Sequence, residues 1–148
     1  MKRDIKCKVS IKALQDLPSI VKGDFDCAFC NYLKDLKGSP EIVEGNFVCY
    51  CCDNIETLDG APEIVEGDFD CSYCKNLISV EHSPKKCKIF DCKGCDKLKT
   101  LDPLLRCDIE YVKADKHLLE DYNKKKKIID KHGYERAMEV FDVLDNLL

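Results

Sequence analysis

From Phe25 to Leu101 the apolar residues of this chain fall into one recurring frame. Phe25, Cys27, Cys30, Leu33 and Leu36 make one set, and Phe47, Cys49, Cys52, Ile55 and Leu58 the next. Phe69, Cys71, Cys74, Leu77 and Val80 follow, then Phe90, Cys92, Cys95, Leu98 and Leu101. The first two members of a set are two apart, so a strand would turn both to one face and the intervening residues to the other. Later members are three apart, the spacing of an irregular return rather than of a strand. Successive sets are 22 residues apart, except for one step of 21 between Cys71 and Cys92. Pro18, Pro40, Pro62 and Pro84 keep the same step, as do Gly23, Gly45 and Gly67. A fixed period of this length marks a stacked array in which each unit buries its apolar strip against its neighbours.

The pattern predicts an α/β repeat: a β-solenoid of about five to six short coils, with a parallel sheet on one face. Coils are expected near 5–18, 19–40, 41–62, 63–84 and 85–105, with a partial one over 106–115. In the first, Ile5 and Cys7 stand where Phe25 and Cys27 do, and Leu14 matches Leu36. A strand is expected at Asp108 to Val112, with Cys107–Tyr111 matched to Gly-Asp-Phe-Asp-Cys and with Ile109 and Tyr111 inward. Stacking at the β spacing then makes chemically uniform ladders. Phe25, Phe47, Phe69 and Phe90 form one; Cys27, Cys49, Cys71 and Cys92 a second; Cys30, Cys52, Cys74 and Cys95 a third. Cysteine suits such positions because it is small, readily buried and a weak S–H donor able to cap a backbone carbonyl.

Residues 116–148 change character: they contain neither Cys nor Pro, and Ala137, Phe141, Leu144 and Leu148 fall at helical spacing. Helices are expected from about Lys116 to Lys131, ended by His132-Gly133, and from about Tyr134 to Leu147. Their expected role is to cap the end of the solenoid core.

The frame F-x-C-x-x-C-x-x-L-x-x-L resembles leucine-rich repeats, with Phe and Cys where Leu usually dominates. The segments LKGSPEIVEGNFVCYC (36–51) and LDGAPEIVEGDFDCSY (58–73) are most similar to short repeats of bacteriophage, bacterial and large DNA virus proteins. The resemblance covers roughly 5–112 and leaves out the helical tail. It implies a leucine-rich-repeat-like solenoid.

Charge changes the picture more than composition does. Residues 1–13 carry five Lys or Arg against one acid, net +4; residues 14–84 carry four against fourteen, net −10; the remainder is net +2. An acidic repeat body repels nucleic acid and favours basic partners. No apolar run approaches the length of a spanning helix, and the N-terminal stretch lacks the apolar h-region of a secretory signal. A cytoplasmic protein with no membrane association is expected.

Twelve cysteines without a secretory signal argue for reduced thiols rather than a disulfide framework. The pairs Cys27/Cys30, Cys49/Cys52, Cys71/Cys74 and Cys92/Cys95 also match a zinc-ribbon spacing, so zinc is the alternative to a metal-free core. Against it, the intervening segments keep an apolar period that a zinc ribbon does not require. Cys51 has no counterpart cysteine in the other coils. The sequence holds no phosphate loop, H-E-x-x-H or G-x-S-x-G, and His82, His117 and His132 form no evident nucleophile pair, so no enzyme is expected.

The expectation is a protein–protein interaction scaffold. Its partner-binding residues would be the outward strand positions Asp24, Asp26, Asn46, Val48, Tyr50, Asp68, Asp70 and Ser72, with Phe29 and Tyr73 beside them. Acids would steer a basic partner and aromatics would supply contact area. The resemblance adds an alternative, an acidic decoy occupying a nucleic-acid site on a host protein. Self-association through a terminal coil or the helical cap is also compatible with the pattern.

Overall fold

The structure is a computed structural model that describes residues 1–8 and 10–147. It is a parallel β-solenoid of about five turns followed by two helices, as the period requires. Coils in the regular part contribute two strands each. The first ladder stacks β2 (Ile20–Val21), β4 (Ile42–Val43) and β6 (Ile64–Val65); the second stacks β1 (Ile5–Lys6), β3 (Phe25–Asp26), β5 (Phe47–Val48) and β7 (Phe69–Asp70). The Ile-Val ladder was not expected. Its strands are only two residues long, too short to leave an alternation in sequence.

A tight glycine turn separates the two ladders in each regular coil. The Gly45 N–H donates to the Gly23 carbonyl at 3.0 Å, and Gly67 does the same to Gly45. A Cβ on Gly45 would lie 2.6 Å from the Gly23 oxygen, so coil spacing itself requires glycine there. The fourth full set has Lys88 in the corresponding stretch, and the turn disappears. Both ladders then fuse into one six-residue strand, β8 (Lys86–Asp91), which pairs with β6 and β7 together.

The last strand, β9 (Asp108–Lys113), pairs in parallel with β8, with Phe90 opposite Val112. Val112 is therefore the buried residue, 7% exposed, and Tyr111 faces solvent at 59%. This corrects the inward placement of Tyr111: matching Ile109 to the phenylalanine position is three residues out of register. Ile109 still packs at the core edge, because it continues the first ladder opposite Cys87.

Core ladders form as expected. Phe25, Phe47, Phe69 and Phe90 are fully buried, with neighbouring ring centroids 5.0, 5.1 and 5.2 Å apart and planes within 13°. This offset-stacked geometry adds to the burial of each ring. The eight paired cysteines are buried beside them. Pro40, Pro62 and Pro84 are buried, whereas Pro18 of the outer coil is exposed.

A short 3-10 helix (Asp102–Arg106) replaces the last return and buries Leu104 and Leu105. The helices α1 (Lys116–His132) and α2 (Tyr134–Asp145) follow, separated by Gly133. Leu118, Tyr122 and Ile129 of α1 join the core cluster, so α1 covers the end of the stack. From α2, Ala137 is buried and Tyr134, Met138 and Phe141 pack against it in part. Leu144 departs from the expected inward stripe, being 50% exposed. Leu148 lies outside the described residues. Among the described residues no helix is long and apolar enough to cross a membrane.

Candidate functional site

The second ladder presents three rows to solvent, one residue of each row per coil. Asp4, Asp24, Asn46 and Asp68 form the row beside the glycine turn. Each of the first three uses its side chain to hold the next coil: Asp4 Oδ1 accepts the Asp24 N–H at 2.9 Å, Asp24 Oδ1 accepts that of Asn46 at 2.7 Å, and Asn46 Oδ1 accepts that of Asp68 at 2.9 Å. The side-chain oxygen is what this position needs, which is why Asn replaces Asp there. Asp24 and Asn46 are thus structural residues that keep a second polar atom for a partner.

In the middle row Lys6, Asp26, Val48, Asp70, Asp91 and Lys113 lie in register. Asp26 Oδ1 accepts the Ala28 N–H at 2.9 Å, while its Oδ2 pairs with Lys6 Nζ at 3.2 Å. Asp70 Oδ1 accepts both the N–H and the hydroxyl of Ser72. Asp91 accepts the Lys93 N–H at 3.1 Å. Burial raises the Asp91 carboxyl above the usual aspartate range, and the charge of Asp70 adds to it, against the opposing pull of that hydrogen bond.

The strand exits form an aromatic corner. Phe29, Cys51, Tyr73 and Gly94 occupy equivalent places with φ of 61°, 55°, 58° and 70°. The first three are L residues held in the left-handed region, a repeated backbone strain that the surrounding ladders impose. A Cβ on Gly94 would meet the Tyr73 ring at 2.6 Å, so this glycine makes room for the tyrosine. Tyr50 stacks edge-on with Phe29 at 5.3 Å and with Tyr73 at 5.7 Å, giving a continuous aromatic seam.

A shallow depression of about 430 Å³ opens on this face. Asp24, Asp26, Asn46, Val48, Tyr50 and Asp70 line it, and all six belong to the face expected to bind. Asp4, Ile5, Lys6 and Ala28 line it too and were not singled out. Carrying the register back from Phe25 to Ile5 would have placed Asp4 and Lys6 in the same rows. Of the remaining expected residues, Phe29 and Tyr73 are exposed on the seam beside it, at 54% and 41%. Asp68 lies at the end of its row, and Ser72 is only 4% exposed, its hydroxyl spent on Asp70.

The C-x2-C pairs do a different job. Cys52 Sγ donates to the Cys27 carbonyl at 3.1 Å, Cys74 Sγ to that of Cys49 at 3.2 Å, and Cys95 Sγ to that of Cys71 at 3.2 Å. Each second cysteine thus ties its coil to the one before. Contact with Cys52 and burial hold the Cys27 thiol well above its ordinary pKa, and burial pushes Cys30 up to about 12. The same contact with Cys27 lowers the pKa of the Cys52 thiol. Among the described residues no group of three or more His, Cys, Asp or Glu side chains is placed to hold a metal ion. His82, His117 and His132 are all exposed.

No protein-family model matches the chain, and comparisons with curated proteins and with solved structures find no match.

Proposed function

We propose that this protein is a non-enzymatic, cytoplasmic scaffold that binds a basic protein segment across the acidic, aromatic-edged face of its second ladder. The observation that carries the reading is the depression itself. It gathers Asp4, Asp24, Asp26 and Asp70 around Val48 and the Tyr50 ring, with Lys6 as the one cation among its described lining residues. Carboxylates around an apolar floor suit a Lys or Arg side chain whose alkyl stem packs while its head pairs. Lys6 already pairs with Asp26, whereas Asp4, Asp24 and Asp70 have no ion-pair partner among the described residues and are free to meet an incoming cation.

The test is a titration of the whole chain with an Arg- and Lys-rich peptide and with its Glu-substituted counterpart, followed by amide chemical shifts. Shifts at Asp26, Val48, Tyr50 and Asp70 with the basic peptide alone, lost in an Asp26→Lys/Asp70→Lys variant, support the reading. Shifts elsewhere, or equal binding of the acidic peptide, overturn it.

A further inference from the structure

The face of the second ladder alternates from coil to coil. Asp24 and Asp26 supply the acids of one coil, and Asp68 and Asp70 those of the coil two further on. The coil between them offers Asn46 and Val48 at the same positions. The strand exits alternate in the same way: Phe29 and Tyr73 hold equivalent left-handed places, with Cys51 between them. Both of those rings are exposed, whereas Tyr50 is half-buried and lies edge-on to each. Two aromatic ridges with a tyrosine floor thus run along the stacking axis, beside two acidic seats. The seats are two β spacings apart, roughly 9.6 Å.

We propose that the basic segment assigned to this face is a proline-rich one in polyproline II conformation, with Arg or Lys at every third position; the inference rests on that assignment. A polyproline II helix turns once in three residues and advances about 9.3 Å per turn, so cations three apart meet successive acidic seats. The other regular conformations miss that step. Same-face residues of a strand advance roughly 6.8 Å, which falls between one coil and two. Two turns of an α-helix advance roughly 10.8 Å and overshoot the second seat.

The rings suit the same ligand. Prolines between the cations present stiff apolar surfaces to aromatic ridges, at little cost in ordering the chain. A polyproline II backbone leaves its carbonyls without internal donors, and the exposed Tyr73 carries a hydroxyl able to donate to one. Lys6 pairs with Asp26 at 3.2 Å, so Asp24 carries the first seat, and an exposed pair of this kind is weak enough to exchange.

The test titrates the whole chain with three peptides of equal length and charge. Arg-Pro-Pro repeats have the step and the conformation. Arg-Arg-Pro-Pro-Pro-Pro repeats keep the prolines and lose the three-residue step, and Arg-Gly-Gly repeats keep the step and lose the conformation. Affinities are read from amide shifts along the acidic rows and ring shifts of Phe29, Tyr50 and Tyr73. Arg-Pro-Pro should bind about tenfold more tightly than either of the others, because its cations are spaced and fixed before binding. Phe29→Asn/Tyr73→Asn, with a residue that tolerates left-handed backbone, should bring Arg-Pro-Pro down to the affinity of Arg-Gly-Gly. The same variant should leave Arg-Gly-Gly binding and the melting curve unchanged. Equal affinity for the three peptides at this face overturns the inference and leaves the binding of a basic segment standing. No binding of any of them overturns both. A preference for Arg-Pro-Pro that survives the double Asn variant also overturns the inference.

Discussion

Cys74 donates its thiol proton to the carbonyl of Cys49, which lies 25 residues earlier in sequence and 3.2 Å away. The two cysteines of neighbouring C-x2-C pairs are thus joined by a hydrogen bond between coils, without a disulfide or a metal. Replacing Cys74 by Ala should cost about 1–3 kcal/mol, combining a buried carbonyl left without its donor and a small cavity. Cys74→Ser keeps a donor and should cost less. Urea unfolding of both variants orders the two effects.

Thiol accessibility follows from the same ladders. Cys7, Cys51 and Cys107 are half-buried, whereas the other nine cysteines are buried. A water-soluble aromatic disulfide reagent should titrate about three thiols quickly in the native protein and all twelve after unfolding. Prior chelation should leave the melting temperature unchanged.

Gly45→Ala should be among the most damaging single-atom additions. Its Cβ would lie 2.2 Å from Asp24 Oδ1 and 2.6 Å from the Gly23 carbonyl oxygen, and the second cannot move without parting two coils. A loss of about 2–4 kcal/mol is expected from such overpacking against backbone. Gly133→Ala has nothing within 4 Å of its Cβ, but φ of 82° with ψ of 155° is a conformation that essentially only glycine adopts, so a purely conformational cost of about 1–3 kcal/mol is expected. Thermal melts of the pair separate steric from conformational cost.

Asp91 carries a pH signature. Its folded pKa is raised, so the folded state holds the proton more tightly than the unfolded chain does. The resulting contribution is full below the unfolded aspartate pKa and is lost as pH rises through the folded one. Asp91→Asn should therefore raise stability at pH 7 and do little near pH 3. The gain should stay under about 1 kcal/mol because the side chain is half-exposed and its field is screened. Melting curves at the two pH values check the sign.

The Phe, Cys and Leu ladders were legible because each repeats one chemistry at one step, and a stack converts that step into contact. Where the anchors vanish, legibility fails. Without a turn glycine before the strand in the copies after Pro84, Cys107–Tyr111 offered a false match, although 22 residues beyond Phe90 lies Val112, the residue the sheet buries. In α2 the apolar residues occupy two sides of the helix, so a single stripe read through Ala137, Phe141 and Leu144 mixed the packed side with the open one. The acidic face was legible as a row of outward residues. The division of labour within it was not: Asp24 and Asn46 hold neighbouring coils through atoms that sequence cannot assign, and Ser72 turns its hydroxyl back to Asp70.

The regular coils bond mainly to the coil before and the coil after, through the same few atoms each time. Such a chain can be lengthened or shortened by whole copies while every junction keeps its chemistry. Copy number then acts as a ruler: adding one coil would extend the acidic row by about one β spacing, roughly 4.8 Å, and change the reach of the face while its local contacts stay the same. The fused strand β8 marks where that ruler stops, since a coil without the glycine turn no longer offers the next one the same paired edge.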